Sequence, residues 1–211
     1  MTKTSFYGTI KNYIYDLQED QISSARKSVL LPVIEYLNQK LKNQTGIFIL
    51  FICTHNSRRS QFAEVWARTL ADFYNFPEIR CFSGGMEVTA VHPAVARILE
   101  KTGFKVTSAE EKTNPKYQIK FSEDVGPLYI FSKKFSTVKT PSEFLAVMTC
   151  DHANESCPII PNAQKRLALT YTDPKVFDGT LDEEKAYLET SKKIATEMKY
   201  IFSHLNRENG Y

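Results

Sequence analysis

Strand, loop and helix alternate through most of this 211-residue chain, and the alternation predicts an α/β fold: an open, mainly parallel sheet with helices on both faces. Three observations carry that prediction. Residues 47–52 (Ile-Phe-Ile-Leu-Phe-Ile) are apolar without a break and stop at Cys53, as a strand buried on both faces does. Pro93 opens a helical stretch that Gly103 closes, the expected Pro-in, Gly-out asymmetry. Residues 144–149 repeat the buried-strand pattern and lead to a second cysteine, Cys150.

Taken in order, residues 1–45 have a texture of their own. Ile22, Ala25, Val29, Leu30, Val33, Ile34, Leu37 and Leu41 recur at helical spacing and form one apolar stripe. Pro32 lies within it and is expected to kink or divide the helix. Ser23 and Ser24 are suitable caps, and Asn43, Gln44 and Gly46 close the element. The stripe fits a helical extension packed on the chain's own domain, or a contact between two copies in a homodimer. From residue 46 to 211 the pattern is that of a single α/β domain. Residues 47–52 form its first strand, 60–73 a helix, and 78–83 a strand leading into Gly84 and Gly85. A helix follows from Pro93. Residues 114–141 break the alternation: Tyr117, Ile119 and Phe121, then Leu128 and Ile130, flank a turn-like stretch and predict an inserted β-hairpin. A strand over 144–149, a short strand over 167–171 and a long amphipathic helix over 183–205 complete the domain.

Composition narrows the function classes. A formal net charge of +3 is too mild to argue for nucleic-acid or membrane binding. No segment is apolar for long enough to span a bilayer, and the first residues lead into no signal-type apolar region, so the chain reads as cytoplasmic. Four cysteines in a chain of this length are no disulfide framework. In a reducing compartment such cysteines are buried, catalytic or metal-bound.

Ligands of open parallel sheets bind at the carboxyl ends of the strands. Cys53, Cys150 and Asp173 each follow such an end. Between Cys53 and the next helix, the backbone of Thr54, His55, Asn56, Ser57, Arg58, Arg59 and Ser60 can turn its N–H groups onto one point, with a helix N-terminus behind them, which makes a cradle for a tetrahedral oxyanion. Arg59 supplies a planar, bidentate fork. The same field favours thiolate over thiol at Cys53 and makes it a nucleophile. Ser60 can donate to that thiolate, and Asn56 can pin the loop through side-chain to backbone bonds.

These residues bring a resemblance. The stretch CTHNSRRSQFAE (53–64) resembles the phosphate-binding loop of the low-molecular-weight protein tyrosine phosphatase family, C-x5-R-S, and TYTDPKVF (170–177) resembles its Asp-Pro loop, with Asp173 at the general acid. The likeness covers residues 47–205 and leaves the first 45 residues and the hairpin unaccounted for. Within the family, MTCDHANESCPIIP (148–161) is similar to the redox segment of thioredoxin-coupled arsenate reductases, with Cys150 and Cys157 at its two cysteines. Gln61, Glu64 and Ser83-Gly84-Gly85 also match that branch. The resemblance implies arsenate reduction through a Cys53 adduct and a relay from Cys53 to Cys150 to Cys157, with thioredoxin as reductant and no tightly bound cofactor. Asn56, Glu64 and Ser83 resemble positions that hold a monovalent cation in some reductases. Two positions depart from the pattern: His55 stands where the family has Gly, and Arg58 where it has a second cysteine.

Other readings stay beside this one. A phosphatase could hydrolyse a phospho-Cys53 intermediate with no need of Cys150 and Cys157, and a binding module could hold the anion without turnover. Cys150, His152 and Cys157 are spaced too widely for an ordinary zinc pair, and no second ligand pair exists. Cys81 alternates with apolar neighbours and reads as an inert core thiol. His92 reads as a cap residue, and His204 as a helix C-terminal charge.

Overall fold

The computed structural model describes residues 4–43, 46–108, 113–140, 143–156 and 159–206. Its centre is a four-stranded, all-parallel sheet of β1 (Ile47–Cys53), β2 (Ile79–Gly85), β6 (Phe144–Met148) and β7 (Ala163–Ala168), in the order β2-β1-β6-β7. Every residue of β1 is buried. Alternate residues face opposite ways: Ile47, Ile49 and Phe51 enter the larger core, while Phe48, Leu50 and Ile52 enter a smaller one with Phe144, Met148, Cys150 and Ala153.

The larger core is built by α3 (Arg59–Phe73), α4 (Pro93–Lys101) and α6 (Glu183–Ser203) together with the N-terminal helices α1 (Gly8–Asp16) and α2 (Ser24–Lys42). Trp66 is its largest fully buried side chain. It donates Nε1–H to Ser191 Oγ of α6 at 2.9 Å and stacks on Tyr13 of α1. Ile10, Ile14, Leu30, Val33 and Leu37 share this core, so α1 and α2 are packed on the same apolar interior as the sheet. The smaller face is covered by α5 (Asp151–Ser156) and a 3-10 turn at Phe135–Thr137.

Several expectations change in detail. Pro32 does not divide its helix: α2 runs unbroken from Ser24 to Lys42. The bond Pro32 cannot make is to the Ser28 carbonyl, on an exposed residue that water can serve, while Leu30, Val33, Ile34 and Leu37 hold both halves to the core. Ser23 caps α2 by accepting from Arg26 N. The first part of the apolar stripe is not all buried, since Ala25 and Val29 are exposed. The last strand pairs as Ala163–Ala168 rather than over 167–171. It is an edge strand carrying Gln164, Lys165 and Arg166, so polar side chains mask its pattern. Beyond it the chain still follows β6, with Leu169 N donating to Met148 O and Tyr171 N to Thr149 O.

The hairpin is present as β4 (Tyr117–Lys120) and β5 (Leu128–Ile130), paired antiparallel. A third strand, β3 (Lys105–Ser108), joins it. Strand β3 is short and mostly exposed, so burial leaves no period in its sequence. Gly103, past the end of α4, has φ +106° and lies against α1, where a Cβ would sit 2.8 Å from Ile10 N.

Candidate active site

The loop from Cys53 to Arg59 joins β1 to α3, so the strand end and the helix start fix the sulfur and the arginines together. Cys53 is buried, yet its Sγ receives two directed contacts. Asn56 N–H donates to it at 3.1 Å and Ser60 Oγ lies 3.0 Å away. Asn56 adopts φ +47°, the left-handed region that asparagine tolerates better than most residues, and this turns its N–H inward.

Asn56 is fully buried and all its side-chain capacity is used. Its Nδ2 donates to Ser60 Oγ and to Ser83 Oγ, both at 2.9 Å, and its Oδ1 accepts from Lys133 N at 3.1 Å. Further bonds tie the loop to the segment after β5. Gln61 Nε2 donates to Asn56 O and to Phe131 O, and Ser132 Oγ donates to His55 O at 2.8 Å. Gly85 closes the arrangement, because a Cβ there would lie 2.7 Å from Asn56 N. Below the loop, Glu64 is buried, receives a hydrogen bond from Ser83 Oγ, and lies 3.8 Å from Lys133 Nζ. Burial pushes the Glu64 carboxyl above its ordinary range, with the Lys133 ammonium acting against it.

On the solvent side, Arg59 donates to Asp173 Oδ2 and to the Tyr171 carbonyl. Asp173 also caps the 3-10 turn at Pro174–Phe177 through Lys175 N. Arg58 points elsewhere: it donates to Tyr187 Oη and to Asp178, which also accepts from Tyr187. Its side chain is therefore committed to a clasp between the loop, the Asp-Pro segment and α6, and any share in the cradle belongs to its backbone N–H. His92 lies 3.7 Å from Asp178 and stacks on Tyr187. Burial, then the nearby Arg58 charge, hold its imidazole below the usual histidine value. His92 does cap α4, accepting from Ala94 N. His55 is half-exposed beside Glu87 at 3.5 Å.

Cys150 is buried just past the end of β6. Ile52 pairs with Met148, and Thr149 N donates to Ile52 O, so Cys53 and Cys150 leave adjacent strands at nearly the same rung. Neighbouring strands run roughly 5 Å apart, close to the separation a disulfide needs. Thr54 Oγ1 bridges the two segments, 3.5 Å from Cys150 Sγ and 3.3 Å from His152 Nδ1. A cavity of about 460 Å³ opens here, lined by Arg59, Cys150, His152, Tyr171, Asp173 and Lys193 among others. A larger cleft of about 740 Å³ between α2 and α6 is lined by no cysteine. Cys157 lies outside the described residues. Cys81 is a core residue of β2, where burial pushes its thiol far up.

The sequence reading therefore brought together Cys53, Asn56, Arg59, Ser60, Asp173 and Cys150. It missed Lys133, Ser132, Asp178, Tyr187 and Lys193. Only Asp178, five residues past Asp173 in the same polar turn, offered a local signal. As to a monovalent cation at Asn56, Glu64 and Ser83, Asn56 presents Nδ2 to this cluster, and the carboxylate that would hold a cation already faces an ammonium. The donor set does not fit a further cation there.

The site thus joins a cysteine at the end of a central parallel strand, a loop that leads into a helix, and an Asp-Pro turn opposite. Residues 48–123 match the family described as low molecular weight phosphotyrosine protein phosphatase. Among curated proteins it is similar to an arsenate reductase of Halalkalibacterium halodurans, 28% identical over 65% of this chain and 80% of that one. It is likewise similar to arsenate reductase 1 of Bacillus cereus, 29% identical over 68% of this chain and 96% of that one. Among solved structures, a low molecular weight protein tyrosine phosphatase from Bacillus subtilis aligns with TM-score 0.52 at 14% identity, over 78% of this chain and all of that one. An arsenate reductase from Archaeoglobus fulgidus aligns with TM-score 0.50 at 20% identity, over 74% and 98%. These structures support the fold. The family match ends at residue 123, so Cys150 and Asp173 lie beyond it.

Proposed function

We propose that the protein reduces arsenate to arsenite. The observation that supports this most is the placement of Cys150, a second thiol held at the edge of the Cys53 loop and lining the cavity that Arg59 and Asp173 share. Arsenate would lie on the N–H groups of residues 54–60 with Arg59 turned from Asp173 onto its oxygens. The Cys53 thiolate attacks arsenic, and Asp173 gives its proton to the departing hydroxide, which leaves as water. Cys150 then attacks the Cys53 sulfur. The S–As bond breaks with its electron pair passing to arsenic, arsenite leaves, and a Cys53–Cys150 disulfide remains. Exchange with Cys157 moves the oxidised pair outward to a thioredoxin-class dithiol. The Lys133 ammonium, 3.8 Å from Glu64, adds positive charge beneath the loop. No helix among the described residues is long and apolar enough to cross a membrane, and a cytoplasmic enzyme fits a thiol cycle of this kind. For a homodimer, α2 offers the exposed Ala25, Val29 and Leu31, while Leu30, Val33, Ile34 and Leu37 are committed to the chain's own core.

A phosphatase is the second reading, favoured by the Arg59–Asp173 pair, which would serve hydrolysis of a phospho-Cys53 equally well. Arsenite release with thioredoxin, run beside p-nitrophenyl phosphate hydrolysis, decides between them. Cys150→Ser should stop repeated arsenate turnover and spare hydrolysis. Repeated reduction by that variant would reject the relay.

A further inference from the structure

We propose that His152 draws the proton from the Cys150 thiol through the Thr54 hydroxyl, and so prepares Cys150 to attack the Cys53 adduct. This rests on the reductase reading and adds to it a residue that acts through Thr54. The observations are geometric. Thr54 Oγ1 stands between Cys150 Sγ at 3.5 Å and His152 Nδ1 at 3.3 Å. A threonine hydroxyl accepts and donates at once. With the imidazole proton on Nε2, Nδ1 accepts from the hydroxyl while the hydroxyl oxygen accepts from the thiol. Cys150 is buried and His152 exposed, so the pair connects a secluded thiol to solvent. Ala153 N donates to Cys150 Sγ at 3.4 Å, a second donor for the sulfur once it is charged.

The step balances. The S–H proton of Cys150 passes to Thr54 Oγ1 as the Thr54 proton passes to His152 Nδ1, giving a thiolate and an imidazolium. The thiolate forms the S–S bond to Cys53, the S–As bond breaks toward arsenic, and the imidazolium returns its proton to water. Thr54 thus has a task on each side: its backbone belongs to the anion loop, and its hydroxyl serves the second thiol. Charged groups that face this point are Asp151, Arg59, Asp173 and Lys193 around the cavity, with Glu155 on the same short helix.

The test reads the Cys150 thiolate without arsenic. In a Cys53→Ser, Cys157→Ser protein, the remaining thiols are Cys150 and the deeply buried Cys81, whose thiolate is suppressed near neutral pH. The ultraviolet thiolate signal near neutral pH, corrected with a Cys150→Ser control, should fall by about threefold in His152→Gln. Thr54→Val should lower it equally, the double variant no further, and Thr54→Ser should restore it. An unchanged signal in His152→Gln, or in Thr54→Val, would overturn the relay. Failure of the reductase reading looks different: the signal would respond to these substitutions, yet arsenate would leave the wild-type cysteines reduced.

Discussion

The Cys53 loop is held from two sides by different physics. Its underside is buried and fastened mostly by neutral hydrogen bonds: Asn56 to Ser60, Ser83 and Lys133 N, Gln61 to Asn56 O, and Ser132 to His55 O. Its solvent side is fastened by two ion pairs, Arg59 with Asp173 and Arg58 with Asp178, each with a partly exposed carboxylate. The underside sets geometry in advance, since opening it would leave buried polar groups unpaired. The solvent side can exchange partners, because an arriving oxyanion competes with Asp173 for the Arg59 fork. A rigid floor with an exchangeable front suits a site that must both bind an anion and free its acid for proton transfer.

The contrast can be broken from either side. On the front, Asp173→Asn removes the proposed acid and should lower turnover by roughly a hundredfold or more, while phosphate still competes for the loop. Unchanged turnover would move the acid role to Asp151, which lines the same cavity. On the floor, Gly85→Ala forces a Cβ onto the backbone of His55 and Asn56. It should cost about 1–3 kcal/mol in stability and lower turnover and anion affinity together, by roughly tenfold. Retained affinity with a lowered Tm would mean that the loop keeps its shape without this close approach. The smallest effect belongs to Arg58→Gln, which opens the clasp to Tyr187 and Asp178 but leaves Arg59 in place. Turnover should fall a few-fold with phosphate inhibition unchanged. An equal loss in both would show that the Arg58 guanidinium binds the anion after all.

The two sides were unequally legible in the sequence. Cys53, Arg59 and Ser60 sit within one strand-loop-helix stretch, and their spacing reports the cradle directly. Asp173 shows through its proline and its place after a strand end. The floor is hidden because its members come from far along the chain: Lys133 N meets Asn56 Oδ1 across 77 positions, from a segment whose residues form no motif. Tyr187 looks like one more apolar position of an amphipathic helix until Arg58 is seen to reach its hydroxyl. The parallel sheet was readable from the apolar run of β1, whereas β7 and β3, partly exposed and polar, left no period to read.

The second thiol decides what the loop is for. A Cys157→Ser protein, reduced, freed of small thiols and mixed with excess arsenate, should complete one turnover and stop. Peptide mapping should then find a Cys53–Cys150 disulfide, with arsenite released in equal amount. Arsenite formation without that disulfide, or no arsenite while the same protein hydrolyses p-nitrophenyl phosphate, would contradict the relay and leave a phosphatase in its place.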